Sequence, residues 1–134
     1  MSAARGALRV LLVLWAGSLW SVAIWVTPIL FFAQHDRHLA GMLAGRIFSI
    51  ETYVGLAAAL AALLQAGRLK FGWLYFAAAL LALNEWGLRG VMAAARSRGA
   101  FAGLTFGAWH GVSTGLYALA CIGALLLVWN HDLR

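Results

Sequence analysis

Four apolar stretches take up nearly all of this 134-residue chain, and each is long enough to cross a bilayer. They lie at about 10–33, 39–65, 71–95 and 101–129, and the last contains no Asp, Glu, Lys or Arg. A helix needs ~20 apolar residues to span the hydrocarbon, so each stretch reads as a transmembrane helix. The connectors "AQHDRH", "QAGRLK" and "RSRGA" are short. Short connectors make consecutive helices antiparallel neighbours. The expected fold is an all-α membrane protein, a single domain over 1–134 built as an antiparallel bundle of four transmembrane helices.

Composition agrees. The chain is 64% hydrophobic and 10% charged, against roughly 45–50% and about 25% in soluble domains. A net charge of +6 would suggest nucleic acid in a soluble protein. Here the basic residues sit singly at helix ends, with no basic stripe carrying interleaved aromatics, so no nucleic-acid partner is expected. The bilayer is the expected partner. "MSAARGALR" is similar to the charged start of a signal peptide, but the apolar run after it is too long, so it is read as the start of helix 1. Cys121 is the only cysteine, a small buried hydrophobe by expectation.

Charge also sets orientation. Arg5, Arg9, Arg68, Lys70 and Arg134 fall on one side, and Arg37, Arg96 and Arg98 on the other. The bias favours both termini in the cytoplasm.

Helices in lipid gain little from the hydrophobic effect on meeting, so small residues mark their contact faces. Helical spacing picks out Gly17, Ser21, Ile24 and Pro28 on the first stretch. On the second it picks out Gly41, Ala44, Phe48, Glu51, Gly55, Ala58 and Ala62. The third offers Ala78, Ala82, Glu85 and Arg89; the fourth offers Gly103, Gly107, His110, Thr114, Tyr117 and Cys121. Pro28 lacks an N–H and is expected to kink or end its helix. The seven tryptophans are read mostly as interfacial or lipid-facing anchors.

The ionisable residues gather at one level. At ~1.5 Å per residue, Arg46 and Arg89 lie ~10–12 Å from the side of the first and third connectors. Glu51, Glu85 and His110 lie ~16–18 Å from it, with Asn84 beside them. The expected polar network is Glu51, Asn84, Glu85, Arg89 and His110, with Arg46 at its mouth. Lone charges at the bilayer centre cost at least ~2.5–3.5 kcal/mol, and pairing is the usual solution. Glu85 and Arg89 are spaced to pair within one helix. Glu51 and Arg46 point about 140° apart, so Glu51 should look to Arg89, Asn84 or His110. The network either fixes helix register or forms a polar vestibule for an ion, a proton or a cofactor, with His110 its best titrating member.

Metal and haem are weaker expectations, and no cofactor is the leading one. His35 and His38 lie with Asp36, Met42 and Met92 on one side, and His with Met suits copper. Haem would need His110 as an axial ligand, with His35 or His38 folding inward for a second. No serine–histidine–aspartate set, phosphate loop or HExxH is present, so no enzyme is expected.

"WAGSLW" (15–20), "TPILF" (27–31), "HLAGMLAGRIFSIETYVGL" (38–56) and "FGAWHGVSTGLY" (106–117) together resemble the bacterial transmembrane protein 205-like family, formerly domain of unknown function 4149. The resemblance covers essentially the whole chain. It implies a four-helix integral membrane protein with no established activity, and the bacterial inner membrane is the expected location. The eukaryotic namesake's link to platinum-drug resistance implies trafficking or transport, with no catalytic residues to carry over. The fold is also similar to copper-resistance D-type proteins and to a haem-pathway oxidase, although this chain lacks the early helix-1 histidine expected of the latter. The leading expectation is a non-enzymatic membrane protein; the alternative is ion, proton or copper-like transport, or a haem-associated redox module, using His110, Glu51 and Glu85. A homo-oligomer or a membrane-protein partner is also expected.

Overall fold

A computed structural model describes residues 3–66 and 71–130. Arg68, Lys70 and Arg134, which weigh in the charge bias, lie outside the described residues. The described chain is helical, without a strand. Helix α1 (Ala3–Ser21) continues through a wide π-turn, Val22–Val26, into α2 (Thr27–Ala33). Helix α3 spans Arg37–Ala66. Helix α4 (Gly72–Ala82) continues through a second π-turn, Leu83–Leu88, into α5 (Arg89–Arg98), and α6 spans Phe106–Trp129. The runs Ala3–Ala33, Arg37–Gln65 and Phe106–Trp129 are long and apolar enough to cross a membrane.

Several helix boundaries have a local cause. Pro28 cannot donate a hydrogen bond, and its ring crowds the carbonyl four residues back. The helix does not end there but widens just before it: the Thr27 N–H reaches back five residues to Val22 O. Such single wide turns absorb an interruption without breaking a helix. Asp36, expected beside the histidines, caps α3 instead: its Oδ1 accepts from the backbone N–H groups of His38 at 2.9 Å and Leu39 at 3.1 Å.

The α5–α6 connection is a tight turn. Phe101 and Leu104 exchange both backbone hydrogen bonds, at 2.9 and 3.0 Å. Ala102 and Gly103 both adopt positive φ, 50° and 79°, the backbone of a two-residue hairpin turn. Thr105 then caps α6, accepting from Ala108 N–H. The helix therefore starts at Phe106 rather than near 101.

The helices pack as a ring: α1 lies against α3 and α6, and α4 lies against the same two. The dry core sits toward the chain termini, around Leu12, Leu19, Ala62, Leu74, Ala77 and Leu127. The α3 stripe faces inward as expected from Ala44 to Ala62, although Gly41 is exposed. The α1 stripe does not. Gly17, Ser21, Ile24 and Pro28 are exposed, and Leu8, Leu12, Trp15 and Leu19 are buried instead. Large side chains fill this interface, so small size was the wrong marker for it.

Trp15 also corrects the anchor reading. It is 2% exposed, and its indole Nε1 donates to Glu51 O at 3.0 Å. Gly55 makes the room, since a Cβ there would sit 2.6 Å from Trp15 Cζ2. Trp20 is half-buried and donates to Cys121 O at 2.9 Å. Trp25, Trp86 and Trp129 are exposed.

Candidate functional site

Polar side chains inside the ring meet in pairs, and each pair bridges two helical segments. Between α1 and α3, Ser18 Oγ lies 2.9 Å from Glu51 Oε2, one turn from the Trp15 bond to Glu51 O. Between α3 and the second π-turn, Ser49 Oγ donates to Glu85 Oε1 at 2.8 Å. Arg89 extends this contact: Nη1 donates to Glu85 Oε1 at 2.9 Å, and Nη2 to Gly45 O at 2.9 Å. Gly45 leaves its carbonyl open, since a Cβ there would lie 3.3 Å from that guanidinium nitrogen. Between the π-turn and α6, Asn84 and Ser113 bond reciprocally. Ser113 Oγ donates to Asn84 Oδ1 at 2.6 Å, and Asn84 Nδ2 donates to Ser113 O at 3.2 Å. Between α6 and α1, Tyr117 Oη donates to Leu19 O at 3.1 Å. With the Trp20 bond to Cys121 O, all four interfaces of the ring are hydrogen-bonded.

The sequence-predicted residues divide. Glu85 and Arg89 pair within one helical run as their spacing suggested, with Arg89 49% and Glu85 9% exposed at the side chain. Asn84 bonds Ser113, not Glu51. Glu51 is buried, and Ser18 is its side-chain partner in place of Arg89, Asn84 or His110. Arg46 is exposed and is not its partner. His110 is exposed and stacks on Phe106, centroids 5.9 Å apart, with the Arg96 guanidinium 4.3 Å over the same ring. The reason is rotational. Helix α6 turns Ser113, Tyr117 and Cys121 toward its neighbours, which leaves His110 and Thr114 at the edge of that face. His35 and His38 are exposed at the start of α3. Among the described residues, no three His, Cys, Asp or Glu side chains cluster as metal ligands would.

Ser18, Ser49 and Ser113 were missed from the sequence. Each sits in a mostly apolar run, and nothing in that run says which helix it meets. The one available signal was the pairing of carboxylates with hydroxyls on facing helices, the usual glue of membrane interfaces.

Glu51→Ala is expected to destabilise the protein by about 2 kcal/mol, from the lost interhelical bond and the space left behind. Glu51→Gln, which keeps size and hydrogen-bonding capacity, should cost less than about 1 kcal/mol. Equal melting temperatures for the two variants in detergent would refute the contrast.

Apolar helices of spanning length, joined through internal hydrogen bonds, fit a helical membrane protein. The particular family follows from the sequence: the chain belongs to the DUF4149 family, a domain of unknown function whose sequence model matches residues 10–127. Searches of curated proteins and of solved structures return no match.

Proposed function

We propose that this is a non-enzymatic integral membrane protein with four antiparallel spans, whose polar residues serve chiefly to hold the spans together. The observation that carries this reading is the closed ring of interhelical hydrogen bonds, one set at each interface. Glu85, Arg89, Asn84 and Ser113 are all engaged in it, as a register lock requires and a substrate site does not. The third span is the unbroken run from Gly72 to Arg98, whose inner charges cancel through the Glu85–Arg89 pair. Both termini face the cytoplasm, in line with the charge bias, and the membrane is a bacterial inner membrane, in line with the resemblance to a bacterial family.

Two measurements test this. Reporter fusions should place the N-terminus and the segment 67–70 on one side, and the turn 99–105 on the other; a turn 99–105 found on the same side as the segment 67–70 removes the four-span reading. The purified protein should be colourless and free of stoichiometric metal. A Soret band or one copper per chain would overturn the non-enzymatic reading in favour of a redox or metal-handling module.

A further inference from the structure

The two carboxylates inside the ring are built to one plan with a single difference. Each lies against a serine whose hydroxyl also reaches a carbonyl of its own helix. Ser49 Oγ lies 3.0 Å from Gly45 O and 2.8 Å from Glu85 Oε1. Ser18 Oγ lies 2.9 Å from Trp15 O and 2.9 Å from Glu51 Oε2. A hydroxyl has one proton to donate, so each serine faces two acceptors with one hydrogen. At Glu85 the shortage is met by Arg89, whose two nitrogens donate to the same two acceptors, Glu85 Oε1 and Gly45 O. At Glu51 nothing meets it. Among the described residues no cation lies within salt-bridge reach of Glu51.

We infer that Glu51 is a proton-binding site: its carboxyl carries a proton at neutral pH and donates it to Ser18 Oγ, while Ser18 donates to Trp15 O. The two contacts of Ser18 Oγ, to Glu51 Oε2 and to Trp15 O, then have one hydrogen each. The surroundings point the same way. From α1 the groups facing Glu51 are Trp15 and Ser18, neither of which ionises in the ordinary range. From α6, Tyr117 and Cys121 are buried and turned to Leu19 O, and neither can supply a positive charge. On its own helix Arg46 is exposed and turned away. Glu85 is already neutralised by Arg89. A bare carboxylate here would be an uncompensated charge in the membrane, the arrangement such interiors avoid. The protonated carboxyl keeps the α1–α3 contact made while leaving no bare charge in the interior. This inference does not rest on the proposed function, since a register lock and a working carboxyl can share the same bond.

Infrared spectroscopy of the intact protein in lipid tests it directly, because the chain has only two glutamates, Glu51 and Glu85. The C=O stretch of a protonated carboxylic acid should be present at neutral pH. It should move on ¹³C-glutamate labelling, persist in Glu85→Gln, and vanish in Glu51→Gln. In Glu85→Gln the remaining glutamate is Glu51, so that variant assigns the band even if Glu51→Gln fails to fold. Absence of the band at neutral pH, or a labelled band lost in Glu85→Gln, would overturn the inference.

Discussion

Trp15→Ala is expected to be the most damaging single substitution in this chain, at about 3–5 kcal/mol. The cost does not come from moving an indole out of water, because lipid tails are as apolar as the interior. It comes from the cavity left where a fully packed ring stood, and from loss of the indole donor to Glu51 O. Gly55 supplies an independent check. A methyl group at Gly55 would meet Trp15 Cζ2 at 2.6 Å, an overlap that backbone shifts relieve at about 1–3 kcal/mol. Phenylalanine at position 15 lacks that part of the indole, so Gly55→Ala should cost less in a Trp15→Phe background. Unfolding in mixed micelles measures all four species. Strict additivity of the two changes would mean that Trp15 and Gly55 do not touch.

The second large effect is expected at the ion pair. Arg89→Ala leaves Glu85 with Ser49 alone and removes the bond to Gly45 O. Breaking a fully buried pair costs about 3–5 kcal/mol. Arg89 is 49% exposed, so solvent or headgroups screen part of the loss, and about 2 kcal/mol is expected. Adding Glu85→Gln to Arg89→Ala should recover part of it, since the orphaned charge is then gone. If the double variant is as unstable as the sum of its parts, the stabilisation came from packing and not from charge.

Much of the architecture was legible in the residues, for physical reasons that also mark where legibility stopped. The helical stretches followed from unbroken apolar runs. The inward face of α3 followed from Ala44, Ala58 and Ala62, and the Glu85–Arg89 pair from a four-residue spacing. The separation of Glu51 from Arg46 followed from helix geometry alone. The faces of α1 and α6 did not follow. Where both sides of a helix are apolar, hydrophobicity does not distinguish inside from outside, so Gly17 seemed a contact and Trp15 an anchor. The π-turn at Leu83–Leu88 changes the helical period within the segment that carries Asn84 and Glu85. A fixed-period reading of the third stretch cannot follow that change. Counting residues sets a depth for His110, yet depth says nothing about rotation, and rotation sets it against Phe106.

The hydrogen bonds that close the ring are chemically lopsided. Trp15, Trp20, Arg89, Asn84 and Tyr117 donate from side chains, and what they reach are main-chain oxygens of Glu51, Cys121, Gly45, Ser113 and Leu19. A main-chain oxygen survives any substitution at its own position. Sequence drift can therefore erase these bonds only from the donor side. Cys121 and Leu19 are free to change in character so long as the space they fill is kept, while the Trp20 indole and the Tyr117 phenol that grip their carbonyls are not.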